Sequence, residues 1–149
     1  MIEMAGKASS NVRTPHASQE NPMEIRVHRG EGKLQHVIEI GPHTVLTDAP
    51  RMYGGEETGP EPHDLLAAAL GACTALTVTM YARRKGMDLK DIHVRLEHGQ
   101  QDDAYVLKRH IHYVGNLSAE EQDRLTEIAN KCPVHKTLSG PIQIITDTE

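Results

Sequence analysis

Two side chains in this 149-residue chain carry a nucleophilic sulfur, and they lie far apart in the sequence. Cys73 ends the small-residue apolar run 65–73, and Cys132 stands directly before Pro133. Thiolates are strong nucleophiles, and two thiols brought together in space form a redox pair. The ordinary role of a free cysteine is that of a small buried hydrophobe, so chemistry has to be argued for each. Cys73 has polar neighbours in Thr74 and Thr77 and follows a Gly71-Ala72 step, which suits a gap in the packing. Cys132 is expected where a helix ends and Pro133 turns the chain outward. At a helix C-terminus the negative dipole end disfavours thiolate, so Cys73 is the expected nucleophile and Cys132 the second thiol. A mid-helix thiol needs a nearby cation, and Arg29, Arg26, Arg51 and His63 are the candidates.

Other chemistry is weaker. Among ten histidines, His110 and His112 share one face of a strand, as two metal ligands would, but structural-zinc spacing is missing. We therefore expect neither metal nor organic cofactor. Glu120 and Glu121 suit the positive start of a helix better than a catalytic dyad. Arg83, Arg84 and Lys85 read as the solvated last turn of a helix, and no phosphate-cradling glycine loop or nucleophile elbow is present.

Three elements must position the thiols. Alternation predicts strands over 23–29, 36–40 and 44–47, joined by short turns into an antiparallel meander. After a Gly/Pro-rich loop (48–62), apolar residues at three- and four-residue steps predict a long helix over 62–85, with Pro62 and Asp64 at its start and Gly86 at its stop. The small residues Ala67 to Ala69, Gly71 and Ala72 permit another element to come close, which makes this helix central. Strands follow over 91–97 and 106–114. Ser118 and Glu121 then form a capping box opening a helix whose Leu125, Ile128, Ala129 and Cys132 share a face. A last strand is expected over 141–146. This order predicts an α+β domain over 23–149, with 1–22 a flexible arm.

Composition narrows the class. Hydrophobic residues make up 38% without Phe or Trp, so the core must be aliphatic. A net charge of −5 with scattered Lys and Arg argues against nucleic acid or anionic membranes as partners. No uninterrupted apolar run reaches the roughly 18 residues of a membrane span. The N-terminus lacks the apolar stretch of a secretory signal, and two cysteines without one suit the reducing cytoplasm.

The segment Gly59-Pro60-Glu61-Pro62-His63-Asp64, the run leading to Cys73, the long helix, and Lys131-Cys132-Pro133-Val134-His135 together resemble the OsmC/Ohr family of osmotically inducible and organic hydroperoxide resistance proteins. The resemblance spans residue 23 to the end. It implies antiparallel sheets around a long central helix, an intertwined homodimer, and an active site built from both subunits. The implied activity is a thiol peroxidase: Cys73 attacks an organic, or hydrogen, peroxide, Cys132 resolves, and a dithiol reductant restores the pair. An activating arginine from the first hairpin falls on Arg29, and His63 occupies the place of a family glutamate, which marks a divergent member. Leu66, Leu70, Leu76 and Met80 would supply an apolar wall. The rival expectation is a dimeric, non-enzymatic module binding an apolar ligand at its interface.

Overall fold

The computed structural model describes residues 23–149, so the arm expected over 1–22 lies outside the described residues. Strands β1 (Ile25–Arg29), β2 (His36–Ile40) and β3 (His43–Thr47) form an antiparallel sheet in that order. All five residues of β1 are exposed. The loop after β3 contains a short 3-10 turn (Arg51–Tyr53) and is organised by Asp48. Its carboxylate accepts from Ala49 N (2.8 Å), Glu56 N (3.3 Å), Thr58 N (3.1 Å) and Thr58 Oγ1 (2.6 Å). Those bonds favour the charged form and hold the Asp48 pKa down at about 2. The loop doubles back so tightly that a Cβ on Gly55 would fall 1.9 Å from Ala49 O, which only glycine avoids.

Helix α1 (Pro62–Lys85) follows with the bounds its periodicity predicts. Asp64 Oδ2 accepts from Glu61 N at 3.1 Å at its start, and Gly86 stops it with φ 67°. Ala67, Leu70, Thr74, Val78, Tyr81 and Ala82 are its buried face. This face lies on the hairpin of β4 (Leu89–Gln101) and β5 (Ala104–Gly115), whose strands are longer than alternation alone suggested. The close approach expected of the small residues is real. A Cβ on Gly71 would come within 2.8 Å of Leu96 Cδ1.

Helix α2 (Ala119–Ala129) opens on its capping box, with Glu121 N donating to Ser118 Oγ (3.1 Å) and Ser118 N to Glu121 Oε2 (2.8 Å). The core is aliphatic but for tyrosine: Val78, Tyr81, Ala82, Leu125 and Ala129 pack together, flanked by Ile92, Ile111 and Tyr113. The architecture is α+β, two antiparallel sheets with a long helix, as predicted.

Three expectations are corrected. Cys132 does not end α2; that helix stops at Ala129, with Asn130 as its C-cap, and Cys132 is the N-cap of a further helix, α3 (Pro133–Ser139). The proline explains both events. Its ring disfavours helical geometry at the preceding residue, so Cys132 adopts extended backbone (φ −62°, ψ 143°), the conformation an N-cap needs. The dipole argument about Cys132 is thereby reversed in direction. Residues 141–146 form no strand: among the described residues no strand pairs with them, and Ile142, Ile144 and Ile145 are exposed. Finally, α1 is long and apolar enough to cross a bilayer by length and composition, with mean hydropathy 1.7 over 18 residues. Reading uninterrupted runs missed this because threonines, a glycine and a tyrosine break the run while the aliphatic residues keep the mean high.

Candidate functional site

The two thiols meet. Cys73, on the margin of the buried face of α1, is half-exposed, and Cys132 is fully buried at the α2–α3 junction. The Cys73 sulfur has Thr77 Oγ1 at 3.9 Å, and the Val134 backbone N–H and the Cys132 side chain lie close enough to favour its thiolate by hydrogen bonding. Burial pushes a thiol up, and here it is the largest single influence. The three hydrogen bonds together outweigh it and leave Cys73 below the ordinary thiol value. Sequence reasoning looked for a cation beside this sulfur; hydrogen-bond donors from the start of α3 take that part.

Cys132 Sγ accepts from His135 N at 3.3 Å, one turn into α3, and has Thr74 Oγ1 at 3.9 Å. Thr74 spends its own proton on Leu70 O (2.7 Å). A cation reaches this arrangement from β5: Arg109, whose Nη1 donates to Thr74 Oγ1 at 2.9 Å. Arg109 was legible in part. On β5 the inward phase reads Leu107, Arg109, Ile111, Tyr113, opposite His98, Leu96, Val94 and Ile92 of β4. A charged residue in an apolar phase is the signal that singles it out.

The four candidate cations go elsewhere within the chain. Arg29 donates to Gly32 O (3.4 Å) and Lys33 O (3.0 Å), closing its own hairpin turn. Arg26 pairs with Glu24, and Arg51 with Glu57. His63 stacks on Tyr105, ring centroids 4.7 Å apart, about 15 Å along α1 from Cys73 at 1.5 Å per residue. Beside it, His98 Nε2 meets Asp64 Oδ1 at 2.8 Å and its Nδ1 meets the Tyr105 hydroxyl. That chain of polar groups pins the hairpin to the start of α1. His110 pairs with Glu97 (3.1 Å), and His112 tilts against His93. Among the described residues no three metal-ligating side chains converge.

Two clefts flank α1. One of about 600 Å³ opens over the 49–61 loop and has no neighbour of either cysteine in its lining. The other, about 550 Å³, starts at Thr77 and Pro133 beside the thiols and runs over Met80, Tyr81 and Ile128 to Arg84 and Lys131. Of the expected apolar wall only Met80 lines this cleft; Leu70 is buried, while Leu66 and Leu76 face outward.

The sequence model of the OsmC-like protein family matches residues 54–147, more than half of the chain and both cysteines. The chain belongs to the OsmC-like family. No curated protein matches the sequence. Solved structures share the fold. An OsmC-like protein from Mycoplasma pneumoniae superposes with TM-score 0.67 at 19% identity, over 81% of this chain and 89% of its own. An organic hydroperoxide resistance protein OsmC from Legionella pneumophila gives 0.61 at 24%, over 79% and 89%. One from Elizabethkingia anophelis gives 0.60 at 18%, over 79% and 88%.

Proposed function

We propose that this OsmC-like protein is a thiol peroxidase for organic hydroperoxides. The observation that carries the reading is the Cys73 sulfur, partly exposed, beside the buried Cys132 and held below its ordinary value by neighbouring hydrogen-bonding groups. The Cys73 thiolate attacks the distal oxygen of ROOH; the O–O bond breaks, the alcohol leaves and Cys73 becomes a sulfenic acid. Cys132 then displaces the sulfenic oxygen as water, its proton leaving with that oxygen, and a disulfide forms. A dithiol reduces it by exchange and is itself oxidised. The adjoining cleft, apolar along Met80, Tyr81 and Ile128, suits an organic tail better than bare hydrogen peroxide. The names of the Legionella and Elizabethkingia proteins agree with this chemistry.

A homodimer belongs to the reading. Only 28% of the apolar window of α1 is buried, Leu76 and Met80 stand 64% and 69% exposed, and Ile25 and Val27 of β1 are uncovered. A second copy would cover them. Arg29 and His63, which serve their own chain's turn and hairpin, would then face Cys73 across the interface.

The test is turnover of cumene hydroperoxide with dithiothreitol by purified protein. Cys73→Ser is expected to show no turnover above background, and Cys132→Ser to consume one equivalent and stop. Sustained turnover by Cys73→Ser would end the proposal. The cleft also suits a non-enzymatic binder, and thiol titration after one equivalent of peroxide distinguishes it, because a binder keeps both thiols.

A further inference from the structure

Arg109 occupies the apolar face of β5, an expensive place for a guanidinium, and its four partners explain the position. Nη1 donates to Thr74 Oγ1 (2.9 Å) and Ala129 O (3.4 Å); Nη2 donates to Asn130 Oδ1 (2.8 Å) and His135 Nδ1 (3.3 Å). All four Nη protons are thus committed, and every acceptor is neutral. His135 Nδ1 must be unprotonated to accept, since arginine only donates.

These acceptors surround Cys132. Ala129 and Asn130 end α2, His135 lies in the first turn of α3, and Thr74 follows Cys73 on α1. The connection between the helices is only residues 130–132, with Cys132 N on Ala129 O at 3.3 Å. One rigid planar fork therefore registers three helices against each other at the point where two sulfurs must meet. A lysine, with a mobile point charge, cannot hold four acceptors in a plane.

We infer that Arg109 is the positioning residue for disulfide closure, setting the Cys132 sulfur against Cys73 through Thr74, Asn130 and His135 without touching either thiol. This rests on the peroxidase reading and specifies its second step. Bridging needs Cα atoms within about 7 Å and a defined S–S dihedral, so a small displacement of the α2–α3 junction slows closure far more than it slows attack on peroxide.

The experiment separates the two steps. In Arg109→Ala, sulfenic acid formation at Cys73, trapped with a dimedone probe, is expected to stay within about threefold of the unmodified protein, while disulfide closure slows about tenfold or more. Mass spectrometry should then show sulfinic acid accumulating at Cys73 under excess peroxide. Arg109→Lys should resemble Arg109→Ala. A cavity of about 240 Å³ lined by Leu70, Tyr105, Leu107, Arg109, His135 and Leu138 lets a small cation reach the vacated place. Guanidinium chloride at tens of millimolar should therefore restore closure in Arg109→Ala, and equal sodium chloride should not.

A peroxide-free arm uses an aromatic dithiobis-nitrobenzoate reagent. Cys73 takes one thionitrobenzoate, and Cys132 releases it on closing the disulfide. If the unmodified protein closes here but ignores hydroperoxides, the peroxidase reading fails and the positioning role stands. Closure at the unmodified rate in Arg109→Ala, or parallel loss of both steps in a folded variant without guanidinium rescue, overturns the inference. Should Arg109→Ala not fold, Asn130→Ala, which removes one bond at the α2 C-cap, where the backbone is right-handed (φ −71°, ψ −11°), decides by the same two rates.

Discussion

A thiol reacts as its thiolate, so the hydrogen bonds on Cys73 have a direct readout. In the reduced protein, where Cys132 is buried, alkylation of Cys73 by iodoacetamide should rise with pH to a midpoint below that of the same cysteine in urea-unfolded protein. Thr77→Val removes one of the three lowering bonds and should move that midpoint upward. A midpoint at or above the unfolded one would contradict the described environment. The sign for stability follows from the same shift. A depressed thiol contributes stability above its unfolded pKa, and that contribution fades as pH falls through the folded value. Asp48 behaves likewise at lower pH: its contribution is complete above about 4 and is lost toward its folded pKa of about 2. Thermal melts between pH 5 and 2 should show this loss, and Asp48→Asn should be less stable at pH 5 with a flatter profile. An unchanged profile would show that the carboxylate does not organise the 48–60 loop.

Among the elements, α2 is the sharpest case of what sequence conveys. Its capping box and inward Leu125 were legible because they are local, and each has a consequence. Ser118→Ala should cost about 1 kcal/mol in urea unfolding, and Leu125→Ala, at a fully buried position, about 2–5 kcal/mol. A Leu125→Ala loss below half a kilocalorie would place that residue outside the core. The end of α2 was misread because Cys132 continues the apolar spacing of Leu125, Ile128 and Ala129. Periodicity continues through a break whenever the next element buries the same side. The backbone restriction imposed by Pro133 is what moves Cys132 from the end of one helix to the start of the next. On β5 the alternation was read correctly, yet Arg109 in its inward phase passed without notice. Its partners lie on three other elements, and nothing local announces them.

For the whole molecule, the uncovered apolar surface is the main fact. Exposed Leu76 and Met80 continue the row of Leu66, Ala69 and Cys73 along α1, so a second copy seated there would also roof the site. Sedimentation at micromolar concentration should give twice the 16.5 kDa chain mass. The double variant Leu76→Glu, Met80→Glu should shift it toward the monomer and lower peroxide turnover with it. A monomeric native chain with full turnover would separate the site from any partner. Residues 141–146 fit this scale: an alternating segment with exposed isoleucines and, among the described residues, no strand beside it is a strand sequence lacking an edge.

What the sequence determined alone is the set of elements with strong local periodicity, α1 above all, and the presence of two thiols in motifs that resemble one family. Helix spacing and strand alternation record which side of a segment is buried, and that information is carried by neighbours in the chain. The tertiary structure decided which buried sides share a place. It brought the Val134 amide and Cys132 to Cys73, kept Arg29 and His63 on their own turn and hairpin, and delivered Arg109 from a strand to the junction of three helices. Those choices depend on the packing of α1 over the β4–β5 hairpin, where close approach at Gly71 and strand register set distances that no local pattern encodes.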